Sequence, residues 1–399
     1  MLSLSEKTVD TAPALDGQTQ LQNTLNFLDG VASPAGAWEA DIYPARIKNY
    51  DPSWLDVLCI SGKVAWGRYS LPSNLNGPGK RKSSGPVKST PITMASRQNL
   101  DIWQALAQSQ IREEVIEYSA VATRIEEDLK KFGASFFDQI QSRTRLLKTQ
   151  LEEGLAELVS YGRICSDSYT GLRALLTPAN KKPSAYRRRG RKAMFGIEDA
   201  GRWSLLDTYQ RATAKVEATV ETRKKISYKW EVLDDEQMER LISIYLQRWG
   251  VLIRSLLERE SFAPPWRVLL MHLRKLELRG VLRGGRFVAG VGGEQFAFPE
   301  TVDDLRKFKK EIINSSNKQF YCLSATDPLN LLNLTLPNRK LPRLLKNRVL
   351  FQGGIPIAVL DSGEVHYLRE VDPQQEWNTH QMLLKRNFPI RLRNYLGSL

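Results

Sequence analysis

One glycine-centred pattern occurs three times in this chain of 399 residues: WLDVLCISGKVAWGRY (54–69), GLAELVSYGRICSDSY (154–169) and HLRKLELRGVLRGGRF (272–287). The copies align on Gly62, Gly162 and Gly280. Leucines stand seven and four residues earlier (Leu55 and Leu58, Leu155 and Leu158, Leu273 and Leu276). That spacing marks one face of a helix, and a glycine directly after it supplies the left-handed backbone that ends a helix. An aliphatic follows two residues later (Val64, Ile164, Leu282), a turn former after five (Gly67, Asp167, Gly285) and an aromatic after seven (Tyr69, Tyr169, Phe287). This predicts a helix, a strand, a tight turn and a returning strand. A helix running into a hairpin behind two earlier helices is the winged-helix arrangement, so the expectation is an α+β chain of tandem winged-helix domains.

The third copy is the most complete. DDEQMERLISIYLQRWG reads as a first helix with acidic residues in its first turn, VLIRSLLERES as a second and PPWRVLLMHLRKLELRG as a third, with Pro265 suited to its start. Beyond Asn317 short apolar runs are bounded by Gly, Pro, Asn and Asp, with FQGG and LDSGEV as hairpin turns, which predicts a small β-barrel. The expected organisation is a first module over 1–70, a linker over 71–92, a second module over 93–178, and a basic connecting segment over 179–232. A third module over 233–312 and the barrel with a C-terminal tail over 313–399 complete it.

The formal net charge is +14 and the isoelectric point about 9.6, which directs attention to a polyanionic partner. KKPSAYRRRGRK, residues 181–192, holds seven cations and no acidic residue: Lys181, Lys182, Arg187, Arg188, Arg189, Arg191 and Lys192. Placed between the second and third modules, it would track phosphates between them, each neutralised phosphate adding a salt-sensitive increment of affinity. Arg202 and Trp203 in the following AGRWSLL are included in the candidate DNA-binding set. On the third helix of the third module, Trp266, Leu269, Leu273 and Leu276 form the expected buried stripe. Arg267, Arg274 and Lys275 then face outward, where a winged helix meets bases or phosphates. The wing adds Arg283 and Arg286, and the first module places Lys63 and Arg68 comparably.

Several chemistries are unsupported. GxxxxGK[ST], DExH and HExxH are all missing, so this chain is expected to carry no nucleotide-driven motor. Three cysteines about a hundred or more residues apart offer neither a metal hook nor a disulfide framework, and the three histidines are equally scattered, so no cofactor or metal is expected. No stretch approaches the ~18 apolar residues of a membrane span, and the N-terminus lacks a basic region followed by an apolar one. The expectation is a cytoplasmic, nucleoid-associated protein with no membrane contact.

These segments together resemble a known family. SPAGAWEADIYPARIKNYDPSWLDVLCISGKVAWGR, FGASFFDQIQSRTRLLKTQLEEGLAELVSYGRICSDSYTGLRALL, the basic segment with AGRWSLL, RWGVLIRSLLERE with APPWRVLL, LRGGRFVAGVGGEQFAFPE, and LSATDPLNLLNLTLP with NRVLFQGGIPIAVL are similar to the C-terminal region of the large helicase-related (Lhr) family of bacterial superfamily-2 DNA helicases. The resemblance covers nearly everything from Leu21 to Leu360. It implies an ATP-driven 3′-to-5′ helicase core as a partner, in cis or in trans. It also implies a likeness to the AlkZ-type DNA glycosylases, whose motif is Gln, an apolar residue, then Gln or Asp. The nearest match here is CSD at Cys165–Asp167, with Cys in place of Gln and Ser in the middle, which leaves Asp167 as a weak catalytic candidate and a wing-turn aspartate as its plain alternative.

Three functions follow as expectations: a DNA-binding module of a DNA-repair helicase, a metal-independent glycosylase that flips a uracil or damaged base, and an oligomerisation module that forms a homo-oligomer. Flipping needs a wedge and a stacking aromatic, for which Trp203, Trp266 and Tyr169 are the candidates.

Overall fold

The computed structural model describes residues 16–70, 88–110, 118–177, 196–206, 232–314, 319–335 and 340–386, together with Pro389, Leu392 and Leu396. Helix α1 (Gly17–Phe27) starts at Asp16, whose carboxylate accepts from the Thr19 N–H at 2.6 Å. Strand β1 (Ala32–Pro34) precedes α2 (Pro52–Ile60), which Asp51 caps and Pro52 opens, and then come β2 (Val64–Gly67) and β3 (Pro91–Ser96). After α3 (Leu100–Gln110) the series repeats as α4 (Ala120–Phe132), β4 (Ser135–Phe136), α5 (Phe137–Thr144), α6 (Lys148–Ser160), β5 (Ile164–Ser166), α7 (Tyr169–Leu176) and β6 (Arg202–Leu205). A third round runs α8 (Asp235–Trp249), β7 (Val251–Leu252), α9 (Arg254–Leu257), α10 (Trp266–Leu278), β8 (Arg283–Gly285) and β9 (Gln295–Ala297), followed by α11 (Pro299–Asn314).

Three antiparallel sheets share one topology. Their orders are β1-β3-β2, β4-β6-β5 and β7-β9-β8, with the last strand between the other two each time. The helix preceding the second strand ends at a left-handed glycine in all three, with φ of +73° at Gly62, +69° at Gly162 and +75° at Gly280. The threefold pattern in the sequence is therefore a threefold repeat of helix, C-cap and strand.

The tight turn is not general. Gly67 closes β2 and pairs with Thr93, and the strand returning to β2 begins at Pro91. Likewise β5 ends at Ser166 and its partner β6 begins at Arg202. Only β8 and β9 are joined closely, across residues 286–294. The two expected linkers thus need correcting. Residues 71–87 join β2 to β3, and the basic run 181–192 joins β5 to β6 rather than a second module to a third; both lie outside the described residues. Closing a long loop costs only slightly more than closing a short one, so a hairpin tolerates such an insertion.

The remaining strands are β10 (Phe320–Ser324), β11 (Arg348–Gln352), β12 (Ile355–Asp361) and β13 (Glu364–Tyr367), in an antiparallel meander of that order. FQGG and LDSGEV are the hairpin turns expected. Gly353 and Gly354 have φ of +55° and +83°, and Ser362 and Gly363 +53° and +97°, the double positive φ of a twist-matched two-residue turn. Among the described residues β10 and β13 do not pair, so what is seen of the expected barrel is a four-stranded sheet without closure. Helix α12 (Pro373–Leu384) covers one face, where Leu383 packs with Leu350, Ala358 and Leu360; Val349 and Val359 on the other face pack with Ala325, Leu332 and Leu341.

Contacts divide the chain into two compact units, one drawn from 1–29, 41–48 and 229–387, the other from 30–40, 49–228 and 388–399. In the first, α1 packs on α8, and the buried Arg248 donates to the carbonyls of Phe27 and Asp29 and pairs with Glu260. Arg46 forks onto Asp327 at 2.7 and 2.9 Å. In the second, Arg173 of α7 is fully buried between Glu39, at 2.8 Å through both Nε and Nη2, and Asp56 of α2, at 2.6 Å. Burial opposes its charge, but the two carboxylates outweigh burial and hold the guanidinium charged more firmly than usual.

Candidate nucleic-acid interface

Helix α10 follows Pro265 and buries Leu269, His272, Leu273 and Leu276, with Trp266 only half covered. Three of the four residues expected in the buried stripe are there. His272 joins it, and burial together with neighbouring Lys275 lowers its pKa. The opposite face carries Arg267, Met271, Arg274, Lys275 and Leu278, all exposed. The corresponding helices of the other unit differ. α6 buries Gly154 and every residue from Leu155 to Ser160, and α2 exposes Val57 and Ile60, with no cation on its outer side.

The wing is built on Gln295, which sequence reasoning did not single out. This side chain is fully buried in β9, and its Oε1 accepts from the N–H groups of Phe287 and Val288, both at 2.8 Å. Its Nε2 donates to the carbonyls of Val288 and Val291 at 3.0 and 3.1 Å. One amide, fully satisfied, fixes the loop between β8 and β9. Glu277 ties helix to wing by accepting from the Gly284 N–H at 3.1 Å, and a Cβ on Gly284 would meet that carboxylate at 2.3 Å and push it aside.

The cations fall into two groups. Arg274 reaches Glu294 on the wing, Lys275 reaches Asp235 at 3.8 Å, and Arg279 pairs with Glu239 of α8. Arg267, Arg283 and Arg286 are exposed and have no acidic partner among the described residues. Arg267 stands in the first turn of α10, and Arg283 and Arg286 lie on the wing beyond its other end.

The other candidates are elsewhere. Lys63 is exposed after α2. Arg68 is half-buried, with Nε donating to the Ser70 carbonyl at 3.0 Å and Nη1 to that of Ser160, so its guanidinium is committed within its own unit. Trp203 needs correcting: it lies fully buried in β6, the central strand of its sheet, and cannot face DNA. Tyr169 is equally buried, against Trp66, which removes it as a stacking platform. Arg202 is exposed and its Nε lies 2.8 Å from Oδ2 of Asp167, an ion pair that raises the Arg202 pKa. Asp167 follows β5 and its N–H donates to the Arg202 carbonyl at 3.0 Å. Lys181, Lys182, Arg187, Arg188, Arg189, Arg191 and Lys192 lie outside the described residues. Among the described residues no three His, Cys, Asp or Glu side chains converge to hold a metal, and no helix is long and apolar enough to cross a membrane.

Residues 2–79 and 231–316 each match a model described as a large helicase-related protein winged-helix domain. Over 350 residues the chain is 29% identical to a protein of Escherichia coli (strain K12) named Lhr helicase/uracil glycosylase, covering 82% of this chain and 20% of that protein. The chain is thus similar to a C-terminal region of large helicase-related proteins. A second relative, named Lhr helicase/ probable uracil glycosylase, from Mycolicibacterium smegmatis (strain ATCC 700084 / mc(2)155), is 27% identical over 321 residues, covering 78% of this chain and 19% of its own. The chain spans about a fifth of the length of these large helicase-related proteins. Helix α10 and its wing lie wholly inside the winged-helix match at 231–316.

Proposed function

We propose that this chain is the DNA-binding C-terminal module of a large helicase-related DNA-repair protein, and that α10 and the wing between β8 and β9 hold the DNA. The observation that supports this is the exposure of Arg267, Arg283 and Arg286 on one helix and its wing, with no carboxylate to neutralise them among the described residues. Lysine and arginine that meet phosphates release condensed counterions, so affinity falls with salt. The motor is supplied by the family's helicase core. The test is a salt titration of binding to duplex DNA. Arg267→Ala, Arg283→Ala and Arg286→Ala together are expected to reduce the slope of log affinity against log salt by roughly 2–3 units, at about 0.9 per phosphate contact. A wild-type slope near zero would overturn the proposal.

A second reading is base excision, supported by the names of both relatives. On this chain the candidate is Asp167, half-exposed beside Arg202. A carboxylate that activates water at a flipped sugar is the chemistry required. Uracil-containing single-stranded DNA incubated with the chain, then treated with alkali, measures it. Activity retained by Asp167→Asn would place the catalytic group elsewhere.

A further inference from the structure

The outward face of α10 is not uniformly cationic. Arg267, Met271, Arg274 and Leu278 follow at helical spacing and share one stripe. Leu278, the last residue of the helix, is 90% exposed, Met271 54%, and Val281, just beyond the left-handed Gly280, 40%. Arg279 is drawn aside to Glu239, so the crook between helix and wing presents two aliphatic side chains. Its backbone is held: the N–H groups of Gly280 and Val281 donate to the carbonyls of Glu277 and Leu276 at 2.9 and 3.0 Å. Glu277 in turn anchors Gly284. The result is a rigid apolar point bordered by Arg274 on the helix and Arg283 and Arg286 on the wing.

Charge selects the occupant. An apolar protein surface laid on this point would desolvate Arg283 and Arg286, which have no carboxylate partner among the described residues, whereas a nucleic acid brings phosphates to the rim. The apolar surface of DNA is the face of its bases, and an unbroken duplex hides it by stacking, exposing only edges in the grooves. Base faces come within reach where stacking is interrupted, and aliphatic wedges are known to enter such steps. We propose that Leu278 and Val281 pack on the terminal base pair of a duplex where it meets single strand, making this module selective for DNA junctions. The inference rests on the DNA-binding reading of α10 and its wing, and it adds the structure of the DNA that is preferred.

The experiment compares a forked DNA with an unbroken duplex of equal phosphate number, by fluorescence anisotropy on the full chain, with 2-aminopurine at the fork to report unstacking. Wild type is expected to prefer the fork by roughly tenfold, equivalent to about 1.4 kcal/mol, and to brighten the 2-aminopurine. Leu278→Ala with Val281→Ala should bring the two affinities within about twofold and abolish the brightening, with the salt slope unchanged because the cations remain. Leu278→Phe, at a position too exposed to disturb the core, should retain the preference. Equal wild-type affinities with steep salt dependence would overturn the junction proposal alone. A fork preference that survives the double substitution would do the same, as would a self-associated chain that the substitutions dissociate. Binding to neither DNA would remove the underlying DNA-binding reading as well.

Discussion

Arg274 Nη2 stands 2.8 Å from Glu294 Oε1, with Nε 3.2 Å from the same oxygen, so the wing already supplies a counter-charge to a guanidinium at the centre of the outward face of α10. Both side chains are about half exposed, and such a pair holds weakly enough to be exchanged for a phosphate. Glu294→Gln should therefore strengthen DNA binding and steepen its salt dependence by about 0.9 units. Arg274→Ala should matter little in the parent chain and cancel the gain in the Glu294→Gln background. Additive effects of the two substitutions would show that the pair does not shield the cation.

Burial separates fold from contact within α10. Leu273 is fully buried, and Leu273→Ala should destabilise the first unit by roughly 2–5 kcal/mol in a denaturant titration. Arg267→Ala, on the exposed side, should leave the unfolding midpoint within error and weaken DNA binding. Equal effects on stability would mean that the helix presents a different face to solvent.

The buried amide of Gln295 makes four hydrogen bonds to the wing loop. Gln295→Ala strands two N–H groups and two carbonyls, and each buried group left unsatisfied costs about 1–3 kcal/mol, less where water reaches it. Amide hydrogen exchange at Phe287 and Val288 should accelerate strongly while the middle of α10 stays protected. Unchanged protection of those two amides would assign the wing's order to something other than Gln295.

In the second unit, Arg173→Met removes one partner of a buried ion cluster and leaves Glu39 facing an apolar group. Breaking such a cluster costs roughly 3–5 kcal/mol, and Arg173→Lys should recover only part, since an ammonium cannot fork onto Glu39 while reaching Asp56. Full recovery by lysine would make charge alone sufficient.

His272 introduces a pH dependence. Burial, with Lys275, lowers its folded-state pKa below the ordinary 6.5, while Asp235 and Glu239 partly oppose the shift. The folded state then binds the proton less well than the unfolded chain. The stability contributed is fully present above the unfolded value and is lost as pH falls through 6.5 toward the folded one. The melting temperature of the parent should drop between neutral pH and pH ~5, and His272→Gln should flatten that part of the curve. A parallel curve for the variant would remove His272 as a contributor.

The repeat itself was legible in the residues. Leucines three apart, a glycine and an aliphatic two positions on specify helix, cap and strand through interactions within a few residues, and Gly62, Gly162 and Gly280 all take the left-handed backbone expected. The double-glycine and Ser-Gly turns of the C-terminal sheet were readable for the same reason. So was the outward phase of Arg267, Arg274 and Lys275, because helical geometry alone sets which residues oppose Leu269, Leu273 and Leu276.

What the residues could not disclose is which strand pairs with which, and which helix face stays uncovered. Strand pairing is non-local: β5 finds β6 across the whole basic run 181–192, and nothing in that run's composition distinguishes a loop inside a wing from a linker between domains. Trp203 belongs to the expected DNA-binding set, yet the central position of β6 buries it. Gln295 carries no periodic signal, and its role exists only once the Phe287 and Val288 amides are folded onto it. The three equivalent helices end differently for the same reason. α6 is enclosed by its own unit while α10 is left open, so packing, which depends on every other element at once, decided where the charged face of this protein would be.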